Sequence, residues 1–191
     1  LFDRGLDAAV GYALPLRTRA GRWESGPWTL RPGKLFLLPG DSPMGLRLPL
    51  ESLPKEGADE VPEPVPDPFA ARPALRVPGS ARAALPPPRE PTGPTVRTAL
   101  CIEPRGGILH VFAPPLTLLE DYLTLVEAIE DAAADTGVVV LLEGYPPPRD
   151  ARLRHHAVTP DPGVIEVNVH PARDWAELSA ITTGVYADAR S

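Results

Sequence analysis

The sequence predicts an α+β fold: a largely antiparallel sheet with two helices packed on one face. Three observations predict it. Residues 96–191 run strand, strand, helix, strand, strand, helix. The first two of those strands are joined by a glycine pair, a tight-hairpin signal. Only two stretches carry helical signals, and both follow strands rather than alternating regularly with them.

Composition divides the 191 residues into three regions. Residues 1–53 read as N-terminal strands, 54–95 as a proline-rich linker or insertion, and 96–191 as the α+β core. In the first region "VGYALPL" and "KLFLLPG" are short apolar runs, and "GLRLPL" is a third with alternation. "LPGDSPMG" between the last two has turn chemistry. The second region holds twelve of the 27 prolines. So many missing N–H donors rule out both a sheet and a continuing helix, so an extended, largely disordered segment is expected.

In the third region "TVRTALCIEP" and "GILHVFAPP" flank Arg105, Gly106 and Gly107. A two-residue turn at Gly106–Gly107 sets Arg105 opposite Ile108 and Glu103 opposite His110, on one face. "PLTLLEDYLTLVEAIEDAAADTG" is the clearest helix, with Leu119, Leu123, Val126, Ile129 or Glu130, and Ala133 at 3–4 residue spacing. Thr117 is the expected start cap and Gly137 the stop. "VVVLLEGY" reads as a buried strand ended by Pro146, and "GVIEVNVHP" as the last strand. "RDWAELSAITTGVYADAR" follows as a helix opened by an Asp174–Glu177 capping box.

The net charge of −6 and pI near 5.2 argue against nucleic-acid binding, which needs clustered Lys and Arg. One cysteine, Cys101, excludes an internal disulfide and a cysteine-based zinc site. It reads as a core residue. No apolar run reaches a membrane span's length. A cytoplasmic location is the expectation. The opening "LFDRGLDAAVGYALPL", without an initiator Met, reads as a piece of a longer chain.

Several residues could carry chemistry. Period-2 geometry places Glu166, Asn168 and His170 on one strand face, against Ile165, Val167 and Val169 on the other. That row is either a solvated face or the floor of a site. Glu103 with His110 is a second carboxylate–imidazole pair, and Glu143 ends an apolar run. Gathered on one sheet face, Glu103, Glu143 and Glu166 would suit a hard cation such as Mg2+ or Mn2+. Arg152, Arg154, His155 and His156 form a basic loop that could contact phosphate or simply be solvated. Gly40–Arg47 is glycine-rich but lacks the lysine and spacing of a phosphate-binding loop.

Long motifs carry a resemblance. "LFLLPGDSPMGLRLPL", "VRTALCIEPR", "LEDYLTLVEAIEDAA", "EGYPPPRD" and "VTPDPGVIEVNVHPA" resemble the amidoligase region, classed as a domain of unknown function, of large bacterial transglutaminase-like proteins. That region is related to the glutamine synthetase and glutamate–cysteine ligase superfamily. The resemblance implies a partial glutamine-synthetase-like domain, with acidic residues on an open sheet face. It implies an ATP-dependent carboxylate–amine ligase that forms an amide through an acyl phosphate. Mg2+ or Mn2+ would be held by Glu103, Glu143 and Glu166. Arg105 and His110 would contact the cofactor, and Glu166, Asn168 and His170 would be catalytic. Implied partners are small-molecule or peptide carboxylate and amine substrates and a transglutaminase-like domain in the same full-length chain, with no nucleic acid or membrane. A fragment truncated at both ends would be inactive alone. Two other classes stay open: a non-catalytic peptide- or protein-binding module, and a metal-dependent hydrolase.

Overall fold

The computed structural model describes residues 11–19, 21–30, 50, 53–54, 67, 70–75, 87–91 and 93–190. The runs expected as strands over 34–40 and 45–50 lie outside the described residues, apart from Leu50. So do the Gly40–Arg47 stretch and most of 54–95. The chain forms two compact units, Leu1–Pro148 and Arg149–Ser191.

The first unit is built on a four-stranded sheet of order β1-β4-β5-β6. These strands are β1 (Tyr12–Pro15), β4 (Ala99–Arg105), β5 (Ile108–Ala113) and β6 (Val140–Gly144). Two of the three pairings are antiparallel, β1 with β4 and β4 with β5. β5 and β6 run parallel. Helix α1 (Leu119–Thr136) explains the exception. A helix between two strands returns the chain to the end where the first strand began, and parallel pairing needs such a crossover. The expected α+β class therefore holds.

The β4–β5 register is the one read from the sequence. Glu103 lies opposite His110 and Arg105 opposite Ile108. Gly106 and Gly107 have φ of 57° and 83°. Positive φ at both turn positions gives the twist that strands in a two-residue hairpin require, and glycine reaches it without a Cβ clash.

Alternation divides the sheet's two faces. Leu100, Val111 and Ala113 join Leu16 and Leu125 of α1 in the core, and Ile102, Tyr122, Ile129 and Val140 pack against them. The opposite face carries Cys101, Glu103, Arg105, Ile108, His110 and Phe112, with Leu141 and Glu143 added by β6.

Three local expectations are corrected. The helix seam runs through Leu119, Tyr122, Leu125 and Ile129, while Leu123 is 38% exposed. Leu123, Val126 and Glu130 instead line a hollow with Pro73, Ala74 and Leu75. Apolar residues cover so much of this helix that spacing alone fits more than one stripe. The N-cap is Leu118, without a side-chain cap, so Thr117 does not cap the helix. Gly137 does stop it, in the left-handed conformation with its N–H on the Ala133 carbonyl. Finally, β6 is not buried. Among the described residues it is an edge strand, and Val139 and Leu141 are 68% and 48% exposed. A continuous apolar run suits a strand covered on both faces, but here only Val140 packs on the core under α1.

A small hairpin, β2 (Arg17–Arg19) and β3 (Arg22–Glu24), turns at Gly21, whose φ is 69°. Arg89 joins β3 as a parallel bridge through Arg89 N to Trp23 O (3.1 Å) and Ser25 N to Arg89 O (3.0 Å). The proline-rich region is thus tied to β3 at Arg89. Glu24 beneath it is fully buried. It accepts from Arg17 Nε at 2.9 Å and Arg89 Nη2 at 3.1 Å.

In the second unit, β7 (Ala157–Asp161) and β8 (Val164–Asn168) form a separate antiparallel hairpin. Its turn is Pro162–Gly163, with φ of 83° at the glycine, as a type II turn requires. β7 was not expected, because Pro160 stands within it; a two-stranded sheet leaves an outer edge where a missing N–H is tolerated. Helix α2 (Trp175–Asp188) begins as expected, with Asp174 accepting from Glu177 N at 2.8 Å. The reciprocal half of the box differs: the Glu177 carboxylate takes Arg173 N at 2.7 Å. Among the described residues, no helix is long and apolar enough to cross a membrane.

Candidate functional site

The sheet face turned away from α1 gathers four of the residues singled out above. Glu103 and His110 are directly opposed on β4 and β5, Glu143 follows on β6, and Arg105 closes the group from the end of β4. His110 Nδ1 lies 2.9 Å from Glu143 Oε1. Arg105 Nη2 pairs with Glu143 Oε2, and Arg105 Nε stands 3.6 Å from Glu103 Oε2. The side chains of His110 and Glu103 are 14% and 16% exposed, so the group is partly screened from water yet reachable.

The electrostatics follow from these contacts. The His110 hydrogen bond, opposed by burial and reinforced by Arg105, holds the Glu143 carboxyl below its ordinary range. An ionised carboxylate only accepts, so the proton between them belongs to His110 Nδ1. In the neutral ring, Nε2 is then left as an acceptor. Glu103 Oε2 is buried and has no hydrogen-bond partner among the described residues. Its ion pair with Arg105 at 3.6 Å is longer than a hydrogen bond, so the oxygen keeps the capacity to accept one.

Backbone geometry fixes Glu143. Gly144 has φ of 97°, and a Cβ there would lie 2.6 Å from Ala113 O, 2.7 Å from Ala113 N and 2.8 Å from Phe112 Cδ1. Only glycine lets β6 come this close to β5 at its end. Tyr145 N then bonds Ala113 O, and the Tyr145 ring meets Phe112 edge-on at 6.4 Å.

The other expected residues lie in the second unit. Glu166 and Asn168 share a face of β8, where Asn168 Nδ2 donates to Glu166 Oε1 at 2.5 Å. His170 lies beyond the strand's last residue, so the row of three side chains stops at two. Glu166 therefore belongs to a different sheet from Glu103 and Glu143. Among the described residues, no group of three or more His, Cys, Asp or Glu is placed to hold a metal by itself.

The basic loop is largely spent on its own carboxylates. Arg152 grips Asp150 at 2.9 and 2.7 Å, and Arg154 reaches Glu177 at 3.2 Å. Cys101 is buried, and burial pushes its thiol up, as suits a core residue rather than a nucleophile. Sequence reasoning missed the Arg17–Glu24–Arg89 cluster, because no local signal links Glu24 to an arginine 65 residues away.

No curated protein and no solved structure matches the chain. A family model does match, over residues 1–191, and its description is "Putative amidoligase enzyme (DUF2126)". The motifs that resembled an amidoligase region fall within that span, and the chain belongs to this family.

Proposed function

We propose that the chain is part of an ATP-dependent carboxylate–amine ligase whose chemistry takes place on the sheet face bearing Glu103, Arg105, His110 and Glu143. The observation that carries this reading is the meeting of two glutamates, an arginine and an imidazole from three adjacent strands. The family description supports the amide-forming class.

In such a reaction a substrate carboxylate oxygen attacks the γ-phosphorus of ATP. ADP leaves and an acyl phosphate remains. An amine then attacks the acyl carbon, the phosphate departs, and the nitrogen loses a proton. The chain's residues suit these demands. Arg105 would leave its ion pairs to bind the transferring phosphoryl group, whose oxygens match a guanidinium fork. His110 Nε2 would take the proton from the amine, with Glu143 steadying the imidazolium that results.

The donor set also fits a hard cation in part. Glu103 and Glu143 would hold Mg2+ or Mn2+, which commonly uses one or two carboxylates and completes its shell with substrate phosphates and water. When bound, the ion would neutralise developing charge on the phosphates. Glu166, Asn168 and His170 would form a separate polar set within the second unit. A transglutaminase-like domain in the full-length chain, and a cytoplasmic location, belong to the same proposal.

The test is ADP release by the full-length protein with and without candidate amines. Amine-dependent release accompanied by amide product supports the ligase. Release independent of amine, or no release across a broad amine and carboxylate panel, contradicts it.

A further inference from the structure

A second hollow lies at the opposite end of β4 from Arg105. It is bordered by the start of β2, the approach to β4 and the loop before α1. Its volume is about 180 Å³. Among the described residues, two guanidinium side chains, Arg17 and Arg97, and four threonines, including Thr18, Thr98 and Thr117, line it, with no Asp or Glu.

Arg97 is held in place by main-chain acceptors. Its Nη2 donates to Leu50 O at 2.7 Å and its Nη1 to Pro54 O at 3.4 Å. Both partners are neutral, so they orient the guanidinium without cancelling its charge. A half-buried cation in that position favours an anionic neighbour. Arg17 is oriented by Glu24 through Nε. Thr98 donates its hydroxyl proton to Leu16 O at 2.6 Å, which fixes the wall but leaves no proton for a ligand. Thr18 and Thr117 are the hydroxyl donors that remain available.

We propose that this hollow binds a small oxyanion, a phosphate or carboxylate group, with Arg97 as its oriented cationic contact and the Thr18 and Thr117 hydroxyls as further donors. A fixed guanidinium beside hydroxyl donors is the chemistry that recognises such groups. The hollow is smaller than the ~300 Å³ at which pockets for drug-sized ligands begin, so it takes a head group rather than a whole nucleotide. It uses none of the residues assigned to the ligase face and does not depend on that assignment.

The test is a two-dimensional amide NMR titration of the intact chain at constant ionic strength, with inorganic phosphate and acetate as separate probes. At least one probe should shift the amides around Thr95–Thr98 and Thr117 saturably. Phosphate alone identifies a tetrahedral anion, and acetate alone a planar one. Arg97→Gln should weaken binding about tenfold, the loss of one charge-assisted hydrogen bond. Because Arg97 also supports Leu50 and Pro54, Thr117→Val is the second variant. Its hydroxyl has no partner among the described residues, so binding should weaken severalfold while the melting temperature stays fixed. No saturable shift with either probe, or shifts unchanged in both variants, overturns the proposal.

Discussion

His110 and Glu143 meet side chain to side chain across the parallel pairing of β5 and β6, with Nδ1 and Oε1 at 2.9 Å. The contact depends on long-range order, because α1 separates the two strands in the chain. It also makes Glu143 the acceptor of both nearby donors, His110 and Arg105.

That arrangement predicts a titration. The Glu143 carboxyl is depressed, first by His110, against opposing burial, and then by Arg105. A folded-state pKa below the unfolded value adds stability above the unfolded pKa and loses it as pH falls through the folded one. Carboxyl-carbon NMR should therefore show Glu143 titrating below ordinary glutamates. His110→Phe should move its midpoint upward. A midpoint unmoved by that substitution would show that the hydrogen bond is not the main cause.

Gly144→Ala should damage both the fold and the site. The added Cβ meets the Ala113 backbone and the Phe112 ring, at a φ that alanine rarely adopts. Strain of about 1–3 kcal/mol is expected, with displacement of Glu143 beside it. Denaturant unfolding measures the cost. An alanine variant as stable as the parent would mean that β6 does not approach β5 so closely.

Glu24→Gln should cost about 1–3 kcal/mol, because it takes the carboxylate away from Arg17, whose side chain is 16% exposed, and from the more solvated Arg89. Glu24 itself is fully buried, so water does not take the place of its carboxylate. Urea unfolding should show a lower midpoint. Protection of the Arg89 amide, which bonds Trp23 O, should fall with it. A loss within the range of an exposed pair, under about 1 kcal/mol, would contradict the buried-cluster description.

Cys101 should resist thiol reagents at neutral pH while the chain is folded. It is 1% exposed and its thiol is pushed up by burial. Labelling should follow unfolding rather than reagent concentration. Rapid labelling of the native chain would mean that the sheet face around Cys101 is open.

The parts of the fold legible in the sequence were those written in local chemistry. Gly106–Gly107 has one favoured hairpin geometry, and from it the Glu103–His110 register followed. Gly137 and Asp174 marked helix ends for equally local reasons. What failed depended on distant partners. The stripe of α1 could not be assigned without knowing which apolar residues face the sheet and which face Pro73–Leu75. The exposure of β6 depended on its place at the sheet edge. For the site, one glycine turn placed Glu103 opposite His110, whereas the arrival of Glu143 beside them needed the α1 crossover. The strand carrying Glu166 looked like another member of the same sheet, but it pairs with β7, which Pro160 had concealed.

The role of the sheet face bearing Glu143 is tested most directly by amine-dependent ADP release from full-length protein carrying Glu143→Gln, compared with the parent and with Glu130→Gln on α1. The prediction is a loss of about a hundredfold or more for Glu143→Gln, as for other groups that position a general base or a cation. Glu130→Gln should keep the parental rate. A Glu143→Gln enzyme that releases ADP at the parental rate would contradict the assignment of this face to the chemistry.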